Sequence, residues 1–224
     1  MRPAFGKHPV PLPLGRRVPV FLAALMLGLP AHAAGAQDAD LLQPKQHLTI
    51  EQPRVLSDAE TVSIYQNIRG RMQAGYRYAD NAAVDEFGEW LRYNRAPYLS
   101  ATHGQRYVNN YASPLARGYG RYEQSGPMPA GAVLAKDSFT VTRAGDVFAG
   151  ALFLMEKMPA GFSPASHDWR YTMIMPDGSL FGTTNGEGSE RVSFCITCHE
   201  AVDEDHHQMF FVPPEYRIEF LSPE

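Results

Sequence analysis

The stretch Phe194-Cys195-Ile196-Thr197-Cys198-His199 sets two thiols and an imidazole side by side. Cysteines three positions apart share one face of a helix, where each thiol can close a thioether bond onto a vinyl group of haem. The histidine that follows is then placed to ligate the iron. The spacing therefore reads as attachment of one haem c through Cys195 and Cys198, with His199 as the metal ligand. The chain has only these two cysteines, so no disulfide network competes for them. The other readings are a structural disulfide, half of a zinc site and a redox pair. A zinc site needs a second Cys/His pair at ligand spacing, which His206 and His207 supply only awkwardly. A redox C-x-x-C opens a helix near the front of a βαβ domain, whereas this one lies near the end of the chain.

Such a motif needs a body to hold it. With 224 residues, 44% hydrophobic and 20% charged, the chain has the make-up of one globular domain with a real core. A net charge of −4 gives no reason to expect nucleic acid or anionic lipid as a partner. Residues 1–36 read as a signal peptide: Arg16 and Arg17 precede the apolar run Val18–Leu29, and Ala31-His32-Ala33 and Ala34-Gly35-Ala36 are small-residue cleavage patterns. The apolar run is short for a membrane span, so secretion is expected. In bacteria, c-type attachment also takes place outside the cytoplasm, and both features point to the periplasm.

Residues 37–56 are polar and carry Pro44 and Pro53, which predicts an extended lead-in. The domain proper, 57–224, begins with Ser57-Asp58-Ala59-Glu60, a capping box. Val62, Tyr65, Ile68 and Met72 follow at helical spacing up to Gly75, and Val84, Phe87 and Leu91 predict a second helix from Ala82 to about Arg95. Beyond Ser100 the period falls to two. Strands are expected at Arg106–Ala112, Gly131–Thr142, Asp146–Met158, Trp169–Met175 and Phe181–Asn185, with turns at Arg143-Ala144-Gly145 and Pro176-Asp177-Gly178. The fold class is α+β: an antiparallel sheet flanked by two N-terminal helices, with the haem-attachment helix at the C-terminal end.

Alternation along these strands separates two faces. Val133, Ala135 and Phe139 share one, and Ala132, Leu134 and Lys136 share the other; in the next strand Phe148, Leu152 and Leu154 share a face with Glu156. Both faces are largely apolar, which implies a sheet covered on both sides. A charge on such a face is costly unless paired or functional. Lys136 is thus a candidate for the site, or an ion-pair partner of Asp137 or Glu156.

The succession Gly131-Ala132-Val133-Leu134-Ala135-Lys136-Asp137-Ser138-Phe139, Leu152-Phe153-Leu154-Met155-Glu156-Lys157-Met158, Asp168-Trp169-Arg170-Tyr171 and Phe194-Cys195 to His199 resembles the cytochrome P-460 family, across Ser57 to Ile218. The resemblance implies a largely β fold with flanking helices, usually dimeric, and a haem iron with an open distal position. In the enzymatic branch a strand lysine is bonded to the porphyrin edge, and the site oxidises hydroxylamine using an external electron acceptor such as a redox-partner cytochrome. In the cytochrome c-prime-beta branch, a phenylalanine-capped pocket binds nitric oxide or carbon monoxide without turnover. Lys136 matches the cross-linking lysine by motif position; the distal acid of the enzymatic branch has no unambiguous counterpart.

Function then turns on what stands across the iron from His199. Met155, Met173, Met175, Met209, His206 and His207 are the candidate sixth ligands of an electron-transfer cytochrome. An apolar wall, drawn from Phe139, Phe153, Phe162 and Trp169, leaves the position open to a small molecule. Oxidising such a molecule needs a proton acceptor, for which Glu156, set among apolar residues, is the first candidate and Asp168 the second.

Overall fold

The computed structural model describes residues 53–202 and 204–218. The expected leader lies outside the described residues, as does the lead-in before Pro53. The end of the lead-in is extended and tied to the sheet, with the Arg54 amide donating to the Val141 carbonyl at 2.9 Å.

Helix α1 spans Asp58–Tyr76 and begins as the capping box requires: the Ser57 hydroxyl accepts from the Glu60 amide, and the Glu60 carboxylate accepts from the Ser57 amide at 2.9 Å. It buries Thr61, Tyr65, Met72 and Tyr76, one stripe at helical spacing. At its end, a Cβ on Gly75 would stand 2.1 Å from the Pro176 carbonyl oxygen. Glycine is what lets the helix meet the turn that follows the seventh strand.

The second helix is shorter than its periodicity predicts. α2 spans only Ala82–Glu86; a 3₁₀ turn follows at Phe87–Glu89, and the chain is already in strand at Leu91–Arg92. Tertiary contacts outweigh the stripe here. The Gln73 side chain lies where a Cβ on Gly88 would be, Arg69 donates to the Gly88 carbonyl at 2.7 Å, and Asn94 is buried in bonds to Asn109 and Asn110. Val84 and Phe87 stay buried, while Leu91 is half exposed.

Among the described residues eight strands form one open antiparallel sheet. They are β1 (Leu91–Arg92), β2 (Tyr98–Ser100), β3 (Arg106–Ala112), β4 (Val133–Val141), β5 (Val147–Ala149), β6 (Leu152–Lys157), β7 (Trp169–Ile174) and β8 (Leu180–Thr183). The order is β1-β3-β4-β6-β7-β8, with β2 also on β3 and β5 also on β4. One expected long strand is therefore two. Phe139 pairs with Ala149 but Lys136 with Phe153, so the register slips by one residue at Gly150-Ala151. The Ser138 hydroxyl donates to the Ala151 carbonyl at 2.7 Å and would lie 2.2 Å from a Cβ on Gly150, so only glycine fits the bulge. The slip corrects the expected parity. Phe148, opposite Thr140, is on the other face from Leu152 and Leu154 and is exposed.

Both faces of β4 are covered. Ala135, Phe139 and Val141 join Leu152, Leu154, Tyr65, Met72 and Phe87 in a core beneath α1 and α2. Leu134 joins Tyr119, Trp169, Tyr171 and Met209 in a second core on the opposite side. Asp137 belongs to the helix side, almost fully buried. Tyr65 donates to one oxygen at 2.5 Å and Asn109 to the other at 2.9 Å, while Tyr65 also meets the Tyr111 hydroxyl at 2.6 Å.

Burial pushes the Asp137 carboxyl up to about 6, with these hydrogen bonds only partly opposing it. A folded-state value above the unfolded one of about 4 means that the native state keeps this proton longer. Its contribution to stability is complete below about pH 4 and is lost as pH rises through 6. Across that window the wild type should lose on the order of 3 kcal/mol that Asp137→Asn does not lose, measured by denaturant unfolding at stepped pH.

Candidate functional site

Helix α3, Ser193–Glu200, carries the C-x-x-C-H residues and buries Phe194 and His199. Cys195 and Cys198 are half-buried, and neither is in a disulfide. Burial, and then Cys198 beside it, push the Cys195 thiol up to about 12, so it is held as the thiol. Both cysteines and His199 line the same largely apolar cavity. Among the described residues no cluster of three or more His, Cys, Asp or Glu is placed to hold a metal ion.

The floor of the cavity is the sheet face that carries the even-numbered residues of β4. Two cross-strand rows build it: Ala112, Leu134, Met155 and Tyr171, and then Asn110, Lys136, Phe153 and Met173. Residues opposite one another on neighbouring antiparallel strands point the same way, so the register sets Lys136 among apolar neighbours.

His199 is fixed from behind. Its Nδ1 lies 2.6 Å from the Gln208 carbonyl oxygen, and a carbonyl can only accept, so Nδ1 carries the proton. The lone pair of the neutral ring is then on Nε2, the tautomer that a histidine ligand needs. The rings of Tyr171 and Phe210 flank the imidazole, each with its centroid 5.0 Å away. The loop that supplies the carbonyl is strained. His207 (φ 50°) and Gln208 (φ 63°) are both left-handed, a conformation costing about 1 kcal/mol or more at each non-glycine residue. Buried side chains hold it there. Trp169 Nε1 donates to the His207 carbonyl at 3.0 Å, and the Tyr119 hydroxyl donates to the Phe210 carbonyl at 2.9 Å. The Tyr171 hydroxyl donates to the Gln208 side chain at 3.2 Å.

Lys136 is half-buried and lines the cavity. Burial lowers its amine to about 8, against the opposing pull of Cys198. No hydrogen bond or ion pair holds its ammonium among the described residues. Asp137 is on the other face, and so is Glu156, which shares the parity of Leu154 and pairs with Arg170 at 3.2 Å. Glu156 is not part of the cavity lining, and the structure does not bring it to Lys136. Asp168 is half-buried, accepts from the Ser163 amide at 2.9 Å, and is likewise not part of the lining.

Of the candidate sixth ligands, Met155 and Met173 line the cavity, Met209 is sealed in the core, and His206 meets the Phe211 ring edge-on. Of the candidate wall aromatics only Phe153 lines it. Phe139 is on the helix side, Trp169 lies in the core behind His199, and the Arg170 guanidinium covers Phe162. Sequence reasoning missed His103, Asn110, Tyr119 and Phe210, all in the lining. Tyr119 shares a short stretch of sequence with Tyr122, but His103 is an isolated histidine with no periodic pattern around it.

Comparison with models of known protein families gives no match, and comparison with curated proteins gives none that is significant.

Tyr119→Phe removes the bond to the Phe210 carbonyl and orphans the Asn110 amide, which donates to that hydroxyl at 2.7 Å. The variant should lose about 1–3 kcal/mol in denaturant unfolding. Amide exchange should also quicken at Gln208 to Phe210, which strained backbone without its brace would allow.

Proposed function

We propose that the chain is a periplasmic mono-haem c-type cytochrome of the kind that the P-460 resemblance implies, with an iron position open to small nitrogen species such as hydroxylamine or nitric oxide. The observation that carries this reading is a convergence. Two unbridged thiols and a histidine held in the ligand tautomer line the same largely apolar cavity.

In this reading Cys195 and Cys198 hold the haem covalently, and His199 ligates its iron. Bound haem supplies a redox-active metal that can take electrons from a ligand and pass them to an external acceptor. The chain does the rest. The Gln208 carbonyl keeps the His199 ring oriented and makes it a stronger donor. Leu134, Phe153 and Met155 keep the floor apolar and limit water. Lys136, whose amine burial lowers to about 8, would be the residue to hold the porphyrin edge covalently. The leader directs export, and two copies associate as a homodimer.

Oxidation of hydroxylamine is the activity of this site if it belongs with the enzymatic branch. Ligand binding without turnover is the second reading, favoured by the placement of Glu156 on the face away from the cavity.

Chain purified from a periplasmic extract should keep its haem through a denaturing gel, and Cys195→Ser with Cys198→Ser should lose it. Loss of haem from the wild type on denaturation would overturn covalent attachment. With a cross-link, the ferrous Soret band should be strongly red-shifted and return to an ordinary position in Lys136→Met. An unshifted band in the wild type sinks the cross-link and leaves the gas-binding reading; a low-spin six-coordinate ferrous spectrum removes both.

A further inference from the structure

The carbonyl that meets His199 comes from an unusual position. At φ 63° a glycine sits without steric cost and asparagine or aspartate with little, whereas a long side chain such as that of Gln208 is an uncommon occupant. The contacts of that side chain account for its presence. Gln208 is 4% exposed; its amide oxygen accepts from the Tyr171 hydroxyl at 3.2 Å, and its amide nitrogen donates to the Ala165 carbonyl at 3.4 Å. Tyr171 belongs to β7, and Ala165 to the 3₁₀ turn Pro164–Ser166 just ahead of it. Both ends of the amide are thus used, on anchors far away in sequence.

The peptide that carries the carbonyl is aimed as well. The Met209 amide, the other half of the same planar unit, donates to the His206 carbonyl at 2.9 Å, and in a trans peptide the C=O points opposite to the N–H. The oxygen is thereby turned away from the 3₁₀ turn Glu204–His206 and toward His199. One residue earlier, the fully buried Trp169 holds the His207 carbonyl; one residue later, the Met209 side chain is fully buried.

What the carbonyl does to the imidazole depends on how well it is aimed. A donated Nδ1 proton leaves the ring richer in electrons, so Nε2 becomes a stronger donor and favours the more oxidised state of a metal bound there. The bond is short, 2.6 Å against about 2.9 Å for an ordinary N–H···O bond. Without its anchors, the Gln208 backbone would relax out of the left-handed region and take the carbonyl with it.

We infer that Gln208 is a positioning residue of the site: its side-chain amide, pinned to Tyr171 and Ala165, keeps a strained backbone carbonyl on His199 and so holds the potential of the iron down. This rests on the haem reading above and adds to it the means by which the redox poise is set. A residue that merely filled the core would act through its volume, and one that merely made the turn would be bettered by glycine. Gln208 acts through two hydrogen bonds, and that difference can be measured.

The test is a redox titration of haem-loaded protein, with the iron–histidine stretch of the ferrous form read by resonance Raman. Gln208→Met keeps the length and most of the volume and removes both bonds; Gln208→Gly removes the side chain and the backbone strain while leaving the carbonyl in the chain. Each should move the ferric–ferrous equilibrium about tenfold toward the ferrous form, a rise of about 59 mV for one electron, and lower the frequency of the stretch. Should Gln208→Met not fold, Gln208→Asn decides the matter in its place, since asparagine tolerates this backbone and is a methylene short of both partners. An unchanged potential in Gln208→Met with haem still attached overturns the inference while the haem reading stands, as does a shift in Gln208→Gly alone, which is an effect of packing. A raised potential with an unmoved stretch places the effect in solvent access to the haem and also overturns it. A wild type without covalent haem overturns the haem reading first, and this one with it.

Discussion

Along β4 the side chains alternate between two buried faces, and the rest of the molecule is arranged around that alternation. Odd positions, Ala135, Asp137, Phe139 and Val141, face the core beneath α1 and α2; even positions, Leu134 and Lys136, face the cavity. A strand has a period of two, so the partition leaves no intermediate choice: a slip of one residue would exchange the faces. The register with β3 and β6 forbids that slip along Val133–Lys136, and the bulge at Gly150-Ala151 changes the pairing of β4 only beyond Lys136.

The consequence is clearest at Lys136 and Asp137, adjacent in sequence and opposite in fate. Both lose hydration, which shifts each toward its neutral form, the amine down to about 8 and the carboxyl up to about 6. Asp137 recovers part of the cost through Tyr65 and Asn109, as a structural buried acid does. Lys136 has no such partner among the described residues. A desolvated cation at a cavity wall is a poor contribution to stability, and that sets Lys136 apart from its neighbour.

The C-terminal loop works on the other side of that cavity. Left-handed backbone at His207 and Gln208 is unfavourable in isolation, and it persists because Trp169, Tyr119 and Tyr171 bind the loop from the cavity-side core. Core packing is thereby converted into the orientation of one imidazole. The Nδ1 of His199 meets a carbonyl, which can only accept, whereas the Nδ1 partners of His103 are hydroxyls, which either donate or accept.

Local patterns were enough to set Cys195, Cys198 and His199 on one short helix, for the capping box at Ser57, and for most strands and turns, because each depends on neighbours within a few residues. The stripe Val84, Phe87 and Leu91 misled, since helix propensity is weak beside the contacts that draw Gly88 and Asn94 into the sheet. The placement of Glu156 needed the register: alternation set it with Leu154, but only the cores showed which face is the cavity's. His103 had no local mark at all. Its place in the cavity follows from the turn that carries it to Phe153, fifty residues on in sequence. The sequence by itself determined that two thiols and an imidazole sit together on one helical turn, because spacing along a helix is a local property. Only the tertiary structure decided what faces them, because cross-strand register and the closure of loops over a core join residues that the chain keeps far apart.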